Sequence, residues 1–136
     1  MDNEQLGRSW MTFAGVALIG AGLIGFLPGN PIASESESAL FRVNAVHNVV
    51  HLLTGGLALA IGLGTRGMNL ANGLIGFGVL YALVAVLLIV DPTLFGLFAD
   101  APANAADHVL HAALAIVSIA LGYMLRQRSD SRAYAR

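Results

Sequence analysis

The chain has no cysteine and no lysine among its 136 residues, a single tryptophan, and only 11% charged residues. Without cysteine it can form neither a disulfide framework nor a thiolate metal site. With so few charges and a net charge of −1 it presents no basic surface for nucleic acid. Hydrophobic residues reach 57%, against about 45–50% in a soluble domain, where charged residues make up about 25%. Water is therefore a poor solvent for most of this surface. No nucleophile–base pair, phosphate-cradling loop or acid pair stands out, so the sequence carries no positive sign of an enzyme.

What is present is long apolar sequence. Four stretches lack Asp, Glu, Lys and Arg over close to the roughly 20 residues that a hydrocarbon core of about 30 Å demands. They lie near residues 10–27, 45–64, 71–90 and 109–125, the last belonging to a helix expected over residues 105–125. Within lipid a backbone satisfies its polar groups only as a helix or a closed barrel, and unbroken apolar runs lack the alternation of a barrel strand. The expected fold is all-α, a four-helix transmembrane bundle forming one integral membrane domain over residues 1–136. The first run is read as a retained helix and not a secretory signal, because it is long for a signal core and follows Asp2 and Glu4.

Orientation rests on arginine. Arg8, Arg66, Arg126, Arg128, Arg132 and Arg136 flank the N-terminus, the middle connection and the C-terminus, whereas the other two loops hold only Arg42. The positive-inside rule then places both termini in the cytoplasm, with the acidic loops facing outward. The short ASESESAL segment, Ala33–Leu40, reads as a solvated loop. The segment from Asp91 to Pro102, with Leu94, Phe95, Leu97 and Phe98, reads as an interfacial stretch or a cap on the bundle.

All four histidines fall in two windows, Asn44–Leu53 and Asn104–Ala113, which superpose at an offset of 60 residues. Asn44 then pairs with Asn104, His47 with Asp107, Asn48 with His108, and His51 with His111. Each half reads as helix, loop, Asn-led window, helix. This predicts two parallel helical-hairpin repeats, about residues 10–66 and 67–126, related by an axis along the membrane normal, with both windows at one depth on the outer side. Small residues at four-residue spacing, Ala17, Ala21 and Gly25, then Gly56, Ala60 and Gly64, then Gly78 and Ala82, predict close helix packing. Tyr81, alone in mid-membrane, is expected to pack its ring and bond its hydroxyl to a neighbour.

Asn44 and Asn104 fit the N-cap position, and Asp107 sits where an acid supports a first turn. His47 and His51 are one turn apart on one helix face, as are Asp107 and His111. Three readings follow. In the first, His47, His51, Asp107 and His111 form a metal-free hydrogen-bonded network, and the protein is a structural or interaction subunit of a homo-oligomer or larger membrane complex. In the second, the same four residues bind zinc or copper, with His108 behind them. In the third, His51 and His111 are the axial pair of a b-type haem. Transport of a small solute by an oligomer is a further alternative.

GFLPGN at Gly25–Asn30, LFRVNAVHNVVHLLTGG at Leu40–Gly56, FGVLYALVA at Phe77–Ala85, and LFGLF followed by NAADHVLH resemble the bacterial membrane family catalogued as domain of unknown function 4383. The resemblance covers all but the tails. It implies a small integral membrane protein of four helices with no established activity. In that family an amide residue often stands at the position of His108, so the resemblance implies His47, His51, Asp107 and His111 as the transferable set.

Overall fold

A computed structural model describes residues 2–134, without the side chains from residue 128 onward. The side chains of Arg128 and Arg132 and all of Arg136, used above for orientation, lie outside the described residues. The elements are α1 (Asn3–Gly25), β1 (Ala33–Ser34), β2 (Phe41–Arg42), α2 (Ala45–Gly64), α3 (Gly67–Val90) and α4 (Ala105–Tyr134). Each of the four helices contains a stretch long and apolar enough to cross a membrane. The chain is thus a multi-pass membrane protein.

Helix α1 begins at Asn3 and not near residue 10, and the reason is local. Asp2 caps it, its Oδ1 accepting from the Gln5 amide at 2.8 Å. The charged residues of the extra turns have partners on other helices: Arg8 Nε donates to the Gly62 carbonyl at 2.9 Å, and Glu4 Oε2 accepts from the Gly67 amide at 3.2 Å. Helix α3 likewise starts early, at Gly67, because Thr65 and Arg66 alone make the turn from α2 and Gly67 takes the left-handed conformation it needs (φ 52°).

Two antiparallel hairpins form the bundle. In the first, α1 and α2 touch backbone to backbone: a Cβ built on Gly15 would lie 2.8 Å from the Gly55 carbonyl, and one on Gly62 would lie 3.1 Å from the Arg8 carbonyl. In the second, the same positions on Gly78 and Gly122 lie 2.8 and 2.9 Å from the carbonyls of Ala115 and Ala71. The close-packing glycines of α2 are therefore Gly55 and Gly62. Gly56 and Gly64, chosen from their spacing, have nothing within 4 Å of a Cβ and face outward. With apolar residues all round the helix, small-residue spacing alone does not say which stripe meets the neighbour.

Polar pairs join the hairpins. Trp10 Nε1 donates to Ser118 Oγ at 2.8 Å, from α1 to α4, and the hydroxyls of Thr54 and Tyr81 meet at 2.8 Å, from α2 to α3. Between them lies a core that includes Met11, Leu18, Ala58, Leu74, Phe77 and Leu114.

The two long connections fold over one end. In the first, the Asn30 side chain bonds the carbonyls of Ile24, Leu27 and Ala33 and accepts from the amides of Ile32 and Ala33. A two-residue parallel pairing, Ala33 with Phe41 and Ser34 with Arg42, closes the loop; of the segment expected to be solvated, Glu35 to Ser38 and Leu40 are exposed, while Ala33, Ser34 and Ala39 are buried. In the second, Asp91 accepts from the Thr93 amide, the Thr93 hydroxyl and the Phe95 amide. These bonds hold Leu94 and Phe95 at φ 47° and 56°, a conformation costing a non-glycine residue about 1–2 kcal/mol. The turn swings Phe98 inward, where it is 2% exposed.

Candidate metal centre

The site is assembled from two helix starts. Asn44 Oδ1 accepts from the His47 amide at 3.0 Å and opens α2. Asn104 Oδ1 accepts from the amides of Ala106 and Asp107, at 2.9 and 3.1 Å, while Asp107 Oδ2 accepts from the Asn104 amide at 2.9 Å. That reciprocal pair is a capping box at the start of α4. The helical repeat then stacks His51 one turn below His47 and His111 one turn below Asp107.

Across the bundle these faces converge. Ring centroids of His47 and His51 are 4.4 Å apart, and those of His111 lie 6.0 Å from His47 and 6.5 Å from His51. One nitrogen of each of the three falls within 4.8 Å of the others. Helices α2 and α4 meet here through their imidazoles and not by close backbone approach. All three side chains are 2% exposed.

Their nitrogens are unusually unoccupied. Nδ1 of His47, both nitrogens of His51 and Nδ1 of His111 are buried without a hydrogen-bond partner among the described residues. Buried polar groups are nearly always paired, and each orphan costs about 1–3 kcal/mol. Nitrogens of tetrahedral ligands at 2.0–2.1 Å from a zinc ion stand about 3.3 Å apart, so ring rotations of order 1 Å would close the group on an ion.

Asp107 and His108 are not brought into the cluster. Asp107 is 1% exposed, but its Oδ2 serves the Asn104 amide and, at 3.2 Å, the Arg42 amide of the opposite loop. His108 is half-buried with Nδ1 unpartnered, and stands outside the three-imidazole group.

Other neighbours emerge only from the fold. Phe98 stacks on His47 at 4.5 Å with planes 9° apart, roofing the cluster. Tyr81 sets its ring 5.6 Å from His111. The signal for Phe98 was no more than an apolar run in a loop, and the signal for Tyr81 was its isolation in mid-membrane. Asn48, also buried, leaves Oδ1 unpartnered where it faces α1, and its amide fills the space that a side chain at Gly25 would need. Toward α3 the cluster borders a cavity of about 130 Å³.

Fold and site together define a small multi-pass membrane protein with a buried trio of histidines at one end of its helical bundle. A family model described as Domain of unknown function (DUF4383) matches residues 8–124, and the chain belongs to that family. No curated protein and no solved structure matches it.

Proposed function

We propose that this protein binds one transition-metal ion, zinc or copper, through His47, His51 and His111. The observation that carries the reading is the set of four buried imidazole nitrogens without partners on three converging rings. A structural hydrogen-bond network would use those nitrogens, and here they bond to nothing. An ion would satisfy one nitrogen on each of the three rings at once. Imidazole suits zinc and copper alike, and the carboxylate of Asp107 acts through the helix start it caps. The haem alternative is disfavoured by space, since the cavity beside the rings is about 130 Å³ where organic ligands occupy about 300–1,000 Å³.

The same proposal sets the site at the extracytoplasmic face of a bacterial inner membrane, with both termini in the cytoplasm. Arg8 and Arg66 at the opposite end of the bundle support that orientation. It also treats the hairpins as repeats. Support comes from the packing, in which Gly62 against Arg8 and Gly122 against Ala71 recur at offsets of 60 residues in the second helix of each hairpin and 63 in the first.

Purification in mild detergent, with neither chelator nor affinity-tag histidines, followed by elemental mass spectrometry and an absorption spectrum, tests the reading. The expected result is near-stoichiometric zinc or copper that is lost in the His51→Ala/His111→Ala double variant while helicity is retained. Folded wild-type protein that is metal-free and takes up neither added zinc nor added copper would refute it. A Soret band would restore haem.

A further inference from the structure

We propose that the bound ion keeps one coordination position open toward the cavity beside α3, and that this position takes a small, uncharged, membrane-soluble molecule of dioxygen or nitric oxide size. The inference rests on the metal reading above and extends it to what the metal would meet.

Donor count is the first argument. Three imidazoles converge, and no fourth His, Asp or Glu joins them among the described residues. Closed structural sites use four protein ligands, whereas sites with three leave a position for an exogenous group. Asp107, one turn before His111, is outside the group, and its Oδ2 accepts two backbone amides.

The cavity decides what kind of group. His47, His51 and His111 line it together with apolar side chains that include Val50, Val84 and Leu94. The two hydroxyls that line it bond each other, Thr54 with Tyr81 at 2.8 Å, and Thr54 also lies 2.8 Å from the Val50 carbonyl. Apart from the imidazoles themselves, the rest of the lining is apolar. Apolar cavities of this kind stay dry, and one of about 150 Å³ accommodates benzene or xenon. At about 130 Å³ this one admits a diatomic or triatomic molecule with room to spare and excludes larger metabolites.

The route in is also set by the fold. Val46, Val50, Leu80 and Leu97 line the cavity and are at the same time exposed on the outer surface of the bundle, Val46 by 44% and Leu97 by 57%. With α2 and α3 crossing the membrane, that surface would face acyl chains. Toward the outer water, Phe98 and its loop cover the imidazoles. A ligand that dissolves in the bilayer therefore reaches the metal sideways, between α2 and α3, while a hydrated ion meets the roof.

Carbon monoxide on the copper(I)-loaded, detergent-purified full chain is the probe, read by infrared spectroscopy after copper content has been measured on the same sample. The expected result is one copper per chain, one carbon monoxide per copper, and retention of methyl isocyanide with exclusion of 2,6-dimethylphenyl isocyanide. Val84→Phe, which fills the cavity, is expected to keep copper and to weaken carbon monoxide binding by at least about tenfold, as overpacking of a filled site would. Copper bound one to one with no carbon monoxide would overturn the open position and leave the metal reading standing. Equal binding of the bulky isocyanide, or tight azide binding by the copper(II) form, would overturn the small apolar ligand. Protein that binds no copper under any loading would remove both.

Discussion

Asn44 and Asn104 perform the same two tasks at positions 60 residues apart. Each side-chain oxygen caps its own helix, and each amide nitrogen reaches the loop of the opposite hairpin, Asn44 to the Leu97 carbonyl at 2.9 Å and Asn104 to the Leu40 carbonyl at 3.0 Å. The caps that start the histidine-bearing helices are thus also the ties that draw the hairpins together over the cluster. Asp107 adds a third tie by accepting from the Arg42 amide.

Removal of either asparagine therefore costs both a cap and a cross-tie. Asn44→Ala and Asn104→Ala are each expected to lower stability by about 1–2 kcal/mol, the upper part of the range for a lost cap. Thermal unfolding in detergent, followed by circular dichroism, measures this. A double variant no less stable than either single one would show that the two ties are not independent.

Gly55 and Gly56 should respond in opposite ways to alanine. A Cβ at Gly55 would lie 2.9 Å from the Gly15 carbonyl, whereas one at Gly56 meets nothing within 4 Å. Gly55→Ala is expected to destabilise the first hairpin by about 1–3 kcal/mol. Gly56→Ala is expected to be neutral or to stabilise by up to about 1 kcal/mol through helix propensity. Unfolding in graded dodecyl sulfate distinguishes them, and equal behaviour would contradict the packing face described here.

Ser118 is fully buried and receives the only tryptophan of the chain. Ser118→Ala should leave Trp10 Nε1 without its acceptor and cost about 0.5–2 kcal/mol. The emission of Trp10 reports the change without interference from another indole. A spectrum and stability identical to wild type would mean that the bond does not join α1 to α4.

The loop that carries Phe98 should loosen in acid. The hydroxyl of Thr93, and then the amides of Thr93 and Phe95, hold the Asp91 carboxyl below its ordinary value of 3.8. A carboxyl depressed in the folded state contributes its stabilisation in full above the ordinary value, and the contribution disappears as pH falls through the lower folded value. Protection of the Phe95 amide, the ratio of intrinsic to observed exchange rate at the same pH followed by mass spectrometry, should therefore be high at neutral pH and fall below pH 3.8. Asp91→Asn should make protection low throughout, and protection that does not change with pH in the wild type would refute the assignment.

If an ion occupies the trio, it must stabilise the fold by mass action. Zinc at about 100 times its dissociation constant should add about 2.7 kcal/mol to wild-type stability. His51→Ala should remove that increment. An equal zinc-induced shift in the variant would place the binding elsewhere.

Much of this was legible from composition and spacing. Apolar runs of membrane length specify four helices, because lipid leaves the backbone no other open choice. The positions of Asn44 and Asn104 ahead of apolar stretches mark where α2 and α4 begin, because capping is a local exchange between a side chain and the amides that follow it. The i, i+4 relation of His47 and His51 puts them on one face for the same local reason.

Facing and partnering were decided by the tertiary structure alone. Helix α3 is apolar around its whole circumference, so hydrophobic periodicity, which orients helices in water, gives no direction in lipid. Only packing shows that Gly55 and Gly62, and not Gly56 and Gly64, meet α1. Only the folded loops show that Asp107 spends its carboxylate on Asn104 and Arg42, leaving three imidazoles alone beneath Phe98 and beside an apolar cavity. The sequence by itself determined which segments cross the membrane and where the histidines sit along them. Which of those side chains meet, and what space they enclose, depended on long-range contacts that no local pattern in an all-apolar helix encodes.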